Sequence, residues 1–312
     1  MQSNVRSQGW IGDTPARSDG PAKVAGTARY IADIAFPNAI DASVVRSHVP
    51  RGRILGIDFD PNFDWSDVTI ITAKDVPCNE IAEIECDQPA LADDQVRHVY
   101  EPIVLLACED KTKLQRAVQR VHVRIEQLPA LLNVDDSLAC NPLVLGKDNV
   151  MCSYRVVLGD AKAEIERAEV VVRGMYEVGH QEQMYIEPQG CVAYWDDAGL
   201  HVVGSMQCPY YVEKALAHAL RLERSRIDVT QSVTGGAFGG KEEYPSVVAV
   251  HVALLSKKAG RPVRMIYERQ EDVQATTKRH PARVTVEAGC DRDGTLRGIA
   301  VDILMDAGAY VT

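Results

Sequence analysis

A glycine-rich segment between two apolar runs constrains the fold of this chain more than any other feature. The segment reads Gly235-Gly236-Ala237-Phe238-Gly239-Gly240-Lys241-Glu242, and residues 235–242 are called the glycine loop below. A β-branched run precedes it at residues 227–233, and a strongly apolar run follows at residues 246–259. The pattern predicts a strand, a sharp turn and a buried helix, because glycine adopts backbone conformations that other residues avoid.

Strand and helix patterns alternate along the rest of the chain and predict a mixed α+β protein of two domains. Further strands are predicted at residues 42–47, 68–72, 99–108, 121–126, 170–178, 190–195, 200–206, 283–288 and 296–305, and further helices at residues 111–121 and 211–222. The turn at residues 291–294 predicts a hairpin between the last two strands. We predict a tail at residues 1–14, a first domain at 15–130, a linker at 131–141 and a second domain at 142–312.

Charge and hydropathy exclude several classes of partner. The net charge of -10 and the pI near 5.3 argue against nucleic-acid binding, which needs a basic face. No apolar run approaches the roughly 18 to 20 residues that cross a bilayer, so no membrane partner is expected. The polar first 13 residues lack the apolar segment of a secretory signal, which predicts a cytoplasmic protein.

The eight cysteines do not form a local metal-binding motif. They are scattered, and no two have the Cys-x-x-Cys spacing of a typical zinc or iron–sulfur site. We therefore interpret most of them as buried structural thiols.

Two segments carry residues suited to ligand binding. Backbone amides in the glycine loop, just before a helix, suit oxyanions or metal-oxo groups, although a tight turn without a ligand explains the glycines equally well. Glu242 is either a helix cap or a hydrogen-bonding partner of a polar ligand. In residues 180–189, Gln181 is placed to donate to an oxygen ligand and Glu187 to fix the loop, whereas surface polarity is the alternative for each, and His180 lacks a visible partner.

An ordered series of motifs resembles the molybdenum hydroxylases, the xanthine dehydrogenases and aldehyde oxidoreductases. The glycine loop is similar to that family's Gly-Gly-Gly-Phe-Gly-Gly-Lys-Glu motif, with Ala237 in place of the third glycine. Further matches lie at residues 181–188, 205–209, 259–264, 279–281 and 306–310, and residues 19–33 resemble the start of the family's α/β hammerhead domain. Tyr100 departs from the pattern, because the family has glycine there.

The resemblance implies a fold, a cofactor and roles for particular residues. The first domain is expected to be an α/β hammerhead, and the second to be an incomplete part of a molybdopterin-binding α+β domain. Gly236, Ala237, Phe238 and Gly239 would line the molybdenum cofactor. Gln181 would hydrogen-bond an oxo ligand of the metal, and no residue of this chain would ligate molybdenum directly.

Substrate and partners are also implied by the resemblance. Glu242 stands where purine-oxidising members bind substrate, which favours hydroxylation of a purine-like N-heterocycle with oxygen from water. Electrons would leave through 2Fe-2S clusters and FAD on partner subunits. An aldehyde oxidoreductase or a 4-hydroxybenzoyl-CoA reductase-like subunit is the alternative within the enzymes.

The family's general base and substrate-binding arginine lie in motifs that this sequence lacks. We expect both on the remaining C-terminal part of the molybdenum subunit, and we expect the 312-residue chain alone to be inactive. A non-catalytic remnant or interaction module is the alternative outside the enzymes.

Overall fold

The computed structural model describes residues 12, 14, 16–81 and 85–311 of the chain. Its strands are β1 (Ile40–Arg46), β2 (Gly52–Phe59), β3 (Thr69–Thr72), β4 (Gln95–Val96), β5 (Pro102–Cys108), β6 (Val121–Gln127), β7 (Val170–Val178), β8 (Gly190–Trp195), β9 (Leu200–Gly204), β10 (Ile227–Gln231), β11 (Val263–Ile266), β12 (Ala282–Cys290) and β13 (Leu296–Met305). Its α-helices are α1 (Gly20–Val24), α2 (Lys111–Val118), α3 (Val134–Leu138), α4 (Ala161–Arg167), α5 (Pro209–Leu220), α6 (Tyr244–Ala259) and α7 (Arg269–Ala275).

A seven-stranded mixed sheet forms the centre of the molecule. Its strand order is β10-β9-β8-β11-β1-β5-β3, so it contains strands from both predicted domains. The two groups of strands meet where β11 runs parallel to β1, with Val263 opposite Ile40. Every residue of β5 is buried, which explains why this strand reads as a continuous apolar run rather than an alternating one. The predicted domain boundary therefore divides the sequence but not this sheet.

Helix α6 packs against strands from both halves of the large sheet. It contacts β8, β9 and β11 as well as β3 and β5, and it also packs against α5. All residues from Tyr244 to Ser256 are buried, so this part of the helix is enclosed by protein on every side. It ends at Gly260, which adopts a left-handed conformation that suits glycine. Since the glycine loop leads directly into α6, this helix anchors the loop to the core.

A second, smaller sheet belongs to the first predicted domain. It is antiparallel with the order β4-β2-β6, and α2 connects β5 to β6. Asp110 caps α2 by accepting hydrogen bonds from the amides of Thr112 and Lys113. The buried residues of β6 alternate with exposed ones, as the sequence pattern predicts for a strand with one face on a core.

The third sheet, in the order β13-β12-β7, presents an apolar face to solvent. Its antiparallel register places the following side chains on one side: Ile299, Val301, Ile303 and Met305 of β13, Ala282, Val284, Val286 and Ala288 of β12, and Val172, Tyr176 and Val178 of β7. Tyr176 and Ile303 remain 61% and 58% exposed. Helix α4 covers only the opposite side, where it lies against Gly289 and Gly298. We call this exposed side the apolar face.

The predicted elements are largely confirmed, with boundaries shifted by a few residues. The helix predicted at residues 111–121 ends at Val118, and the strand predicted at residues 99–108 begins at Pro102. The sequence patterns did not predict β2, β11, α4 and α7. The predicted linker contains the short helix α3, which Asn133 caps through its side chain. No helix in the described part of the chain is long and apolar enough to span a membrane.

Candidate functional site

The glycine loop connects β10 to α6 through a strained backbone path. Gly236, Phe238 and Gly239 have φ values of 100°, 53° and 90°, in the left-handed region that favours glycine. A side chain at Gly240 is excluded for a different reason, because its Cβ atom would lie 2.6 Å from the Tyr185 ring. The glycines are therefore needed both for backbone conformation and for close packing against residues 183–185.

A buried ion pair supports the loop from below. Lys241 is fully buried, and its Nζ atom lies 3.1 Å from Oε2 of Glu187. The same carboxylate oxygen accepts hydrogen bonds from the Ser205 hydroxyl at 2.6 Å and from the Gly235 amide at 2.7 Å. Glu187 thus fixes the start of the loop, as the sequence analysis anticipated. Burial lowers the pKa of Lys241, while the Glu187 carboxylate opposes that shift.

Two glutamines hold the middle and the end of the loop. Gln207 Oε1 accepts from the amides of Gly239 at 3.0 Å and Lys241 at 3.3 Å. Gln189 Nε2 donates to the Gly240 carbonyl at 2.7 Å and to the Tyr185 hydroxyl at 2.9 Å. Neither glutamine has a role that its local sequence predicts. Both glutamines are far from the loop in sequence. The motifs that contain them, next to β8 and α5, were the one feature of the sequence that could have indicated a role.

Among the predicted cofactor-contacting residues of the loop, Phe238 is exposed, whereas Gly236, Ala237 and Gly239 are half-buried. Phe238 is 78% exposed. Within the described residues, the amides of Gly236, Ala237 and Phe238 donate no hydrogen bond to the protein. Successive free amides around left-handed residues form a concave donor surface for oxygen atoms. This part of the loop therefore suits an oxygen-rich ligand.

Glu242 and Gln181 occupy different positions relative to the loop. Glu242 is partly buried, and its Oε1 atom lies 3.4 Å from Nε2 of Gln207, so the carboxylate is tethered beside the loop. Gln181 is exposed, and its carbonyl accepts a hydrogen bond from the Arg279 amide at 3.0 Å. The Gln181 side chain forms no hydrogen bond with the loop in the part of the chain that the structure describes. Two residues further on, Gln183 packs against Gly240.

Residues around the loop fit a cofactor that brings its own metal ligands. Free amide donors at residues 236–238 suit oxygen atoms, and Oε1 of Gln183 is a buried acceptor without a donor in the described structure. The one cluster of His, Cys, Asp and Glu side chains in the described residues with metal-ligand spacing contains no loop residue. The loop therefore offers hydrogen bonds to such a group rather than metal ligands.

Comparison with known proteins identifies the two regions. The sequence profile of the aldehyde oxidase and xanthine dehydrogenase a/b hammerhead domain matches residues 25–129, and that of the molybdopterin cofactor-binding domain matches residues 145–312. The chain belongs to the molybdenum hydroxylase family. Its fold is accordingly a hammerhead domain followed by molybdopterin-binding α+β structure, which confirms the fold class and the resemblance inferred from sequence.

Individual relatives support the same assignment. The chain is 32% identical to the nicotinate dehydrogenase large molybdopterin subunit of Eubacterium barkeri, over 97% of this chain and 72% of that protein. It is 32% identical to a probable xanthine dehydrogenase subunit of Bacillus subtilis, over 95% of this chain and 40% of that protein. The aldehyde oxidoreductase of Desulfovibrio gigas superposes with a TM-score of 0.83 at 28% identity, over 93% of this chain and 34% of that one. The chain therefore spans less than half the length of two of these relatives.

Proposed function

We propose that this chain forms one wall of the molybdenum pocket in a hydroxylase that oxidises an N-heterocycle such as a purine. The observation that carries the proposal is the glycine loop, which presents free amides at residues 236–238 next to the tethered carboxylate of Glu242. The names of two relatives, nicotinate dehydrogenase and xanthine dehydrogenase, refer to N-heterocyclic substrates. An aldehyde substrate is the alternative, favoured by the likeness to the Desulfovibrio gigas enzyme.

Each candidate residue has a distinct task in this proposal. The backbone amides of Gly236, Ala237 and Phe238 would donate hydrogen bonds to the bound cofactor, Gly239 would line it, and the exposed Phe238 ring would pack against its metal end. Gln181 donates to an oxygen ligand of the metal from the neighbouring segment. Glu242 accepts a hydrogen bond from an N–H group of the heterocycle, which orients the carbon to be hydroxylated. When bound, the molybdenum cofactor supplies oxidation with oxygen from water.

The buried groups below the loop keep these donors in position. The Lys241–Glu187 pair fixes the loop at both ends, because Lys241 follows the last glycine and Glu187 accepts from the amide of Gly235. The side-chain amide of Gln207 links the loop to Glu242. Its Oε1 atom accepts from the Gly239 amide, and its Nε2 atom faces the Glu242 carboxylate. The cofactor donors and the substrate carboxylate are thus positioned by one connected network.

We further propose that the apolar face is covered by the polypeptide that completes the pocket. The face is about 15 Å across three strands and about 30 Å along them, by the usual strand dimensions. Such a surface, near 450 Å², is in the size range of the largest apolar patch on a monomer, which is often a functional contact site. The chain spans 40% of the Bacillus subtilis relative, so that protein contains a further portion of suitable size to cover it.

The completing polypeptide would carry the general base and the substrate-binding arginine. It would form one complex with this chain, an iron–sulfur subunit and an FAD subunit. Electrons would pass from the molybdenum pocket to the iron–sulfur and FAD subunits. The name of the Eubacterium barkeri relative, a large molybdopterin subunit, supports such a division of the molybdenum protein between polypeptides.

The interface is tested by a charge placed on the apolar face. Val301→Glu introduces a carboxylate among exposed apolar side chains, whereas Thr285→Glu introduces one at an exposed position on the opposite side of the same sheet. We expect Val301→Glu to abolish co-purification of the completing polypeptide and Thr285→Glu to retain it. Equal co-purification with both variants would refute the assignment of this face.

The substrate assignment is tested in the complete complex, purified with its molybdenum content measured. Glu242→Gln should raise KM for hypoxanthine or xanthine by about 10-fold or more, because hydrogen bonds to charged groups contribute about 1.5–3 kcal/mol. Oxidation of aldehydes should be unchanged by the same variant. Glu243→Gln serves as the control, since the Glu243 side chain makes no capping hydrogen bond.

Two results would reject this function. Oxidation of aldehydes but not purines by the wild-type complex would favour the alternative substrate class. Molybdenum far below one atom per complex, together with no hydroxylase activity, would identify a non-catalytic remnant.

A further inference from the structure

We propose that Cys78, Glu80 and His218 form a zinc site that joins the first domain to helix α5. The three side chains each offer one ligand atom, and these atoms lie within 4.8 Å of one another. The pairwise distances are 3.4 Å from Cys78 Sγ to His218 Nε2, 3.0 Å from His218 Nε2 to Glu80 Oε2 and 3.9 Å from Cys78 Sγ to Glu80 Oε2. This site is separate from the glycine loop and does not depend on the function proposed above.

The three distances are close to those between the ligands of a tetrahedral zinc ion. Zinc binds thiolate sulfur at about 2.3 Å and imidazole nitrogen or carboxylate oxygen at about 2.0–2.1 Å. Tetrahedral angles then place the ligand atoms about 3.3–3.6 Å apart. The Cys78–His218 separation lies within this range, the His218–Glu80 separation is shorter and the Cys78–Glu80 separation is longer, so side-chain rotations would seat the ion.

The backbone around the ligands is fixed by hydrogen bonds within the protein. The Cys78 amide donates to the Ala219 carbonyl at 2.9 Å, next to His218 in the last turn of α5. The side chain of Asn79, between the other two ligands, donates to the Leu91 carbonyl and accepts from the Leu91 amide. Protein contacts therefore hold the backbone that carries the ligands, which lowers the entropic cost of binding a metal.

A catalytic Cys–His–Glu arrangement does not fit this geometry. In such a triad the carboxylate bonds the ring nitrogen opposite the one that faces the nucleophile. Here the Cys78 sulfur and the Glu80 carboxylate both face Nε2 of His218. One ring nitrogen carries at most one proton and cannot serve both acceptors well, whereas a cation attracts all three groups.

The charges of the site also suit a divalent cation. A Cys78 thiolate and a Glu80 carboxylate together neutralise Zn²⁺, and cysteine with histidine is a donor set that zinc prefers. Glu80 also lines a cavity of about 200 Å³, together with the acidic residues Asp87, Asp93 and Asp94. Cys78 and His218 are half-buried and the Glu80 side chain is 48% exposed, so a fourth coordination position is open to water.

The test uses the full 312-residue chain, reduced and treated with a chelator, and then titrated with zinc. We expect one zinc per chain and a rise in Tm of about 5 °C when free zinc is about 100 times Kd. Cobalt in place of zinc should give a thiolate-to-cobalt charge-transfer band and the strong visible bands of tetrahedral coordination. These optical bands report ligand identity independently of stability.

Variants test whether zinc binds at this site rather than at other cysteines of the chain. Cys78→Ala and His218→Ala should each weaken zinc binding by at least about 10-fold, since even hydrogen-bond partners of metal ligands change affinity by about 10–100-fold. Cys152→Ser is the matched control, because Cys152 is an exposed cysteine outside the cluster. Wild-type protein without a thiolate-to-cobalt band, or equal loss of binding in Cys152→Ser, would overturn the proposal.

Discussion

Replacing Glu187 by glutamine tests whether the buried ion pair beneath the glycine loop holds the loop in place. Lys241 is fully buried, and its ammonium lies 3.1 Å from the Glu187 carboxylate. Coulomb attraction at this distance is about 5 kcal/mol with an effective dielectric constant of about 20. In the variant, Lys241 loses its contacting counter-charge and keeps neutral partners, which include the Ser205 hydroxyl, the face of the Tyr185 ring and the amide oxygen of the new glutamine. We therefore expect a loss of about 3–5 kcal/mol in the free energy of unfolding, as for other broken buried pairs.

The reciprocal variant, Lys241→Met, should cost less. Glu187 keeps hydrogen bonds from the Ser205 hydroxyl and the Gly235 amide, and its side chain is 11% exposed. These donors and some solvent stabilise the remaining carboxylate, so we expect a cost of about 1–3 kcal/mol. The double variant should lose less than the sum of the two single variants, because each removes the same interaction.

The pH dependence of stability provides an independent check. Burial lowers the pKa of Lys241 below its ordinary 10.5. The Glu187 carboxylate acts in the opposite direction and offsets part of this shift. Without Glu187 the pKa falls further, so the folded state binds fewer protons than the unfolded state over a wider range below pH 10.5. The unfolding free energy of Glu187→Gln should therefore rise more steeply between neutral pH and about pH 9 than that of the wild type.

Urea unfolding at several pH values measures both quantities. A Glu187→Gln protein within about 1 kcal/mol of the wild type at neutral pH would refute the ion-pair argument, since broken buried pairs cost about 3–5 kcal/mol. An unfolding free energy of Glu187→Gln that does not change with pH would also refute the ion-pair argument.

Three further variants test other parts of the structure. Gly240→Ala should destabilise by about 1–3 kcal/mol, because its Cβ would lie 2.6 Å from the Tyr185 ring; urea unfolding should show a smaller cost in a Tyr185→Leu background. Gln189→Leu should cost about 1–3 kcal/mol and speed hydrogen exchange in the loop, because the Gly240 carbonyl loses its donor. Burial lowers the pKa of His251 from 6.5 to about 3, so the unfolded state binds the proton first and wild-type stability should fall below pH 6.5 by up to about 1.4 kcal/mol per pH unit. His251→Leu should flatten this slope in urea unfolding, and an unchanged slope would contradict the assignment.

Local patterns in the sequence predicted most elements, because each of these elements is either buried along its whole length or buried on one face. Helix α6 is buried on nearly all sides and reads as a continuous apolar run, and β6 alternates cleanly. Strand β2 was missed because glycines at positions 52 and 56 interrupt its apolar residues. Strand β11 was missed because it has four residues and its burial depends on pairing with β1 and β8.

The site was predictable only where one segment carries its own signal. Four glycines around Phe238 mark the loop, and the crowded polar segment around Glu187 suggested a loop-fixing role for that residue, with surface polarity as the alternative. The contacts of Gln207 and Gln189 with the loop depend on side chains that meet across the fold, so no local period reveals them. The roles of Gln181 and Glu242 rest on resemblance and stay predictions.

Continuity of the seven-stranded sheet limits where a protein of this architecture can be divided. Strands β1, β5 and β3 lie at one end of that sheet, and α6 covers them together with β8 and β11. Separate synthesis of residues 25–129 and 145–312 would leave each piece with an unpaired strand edge in its core, which promotes aggregation. Sheet topology, rather than the boundary between sequence profiles, thus limits where these two regions can be separated.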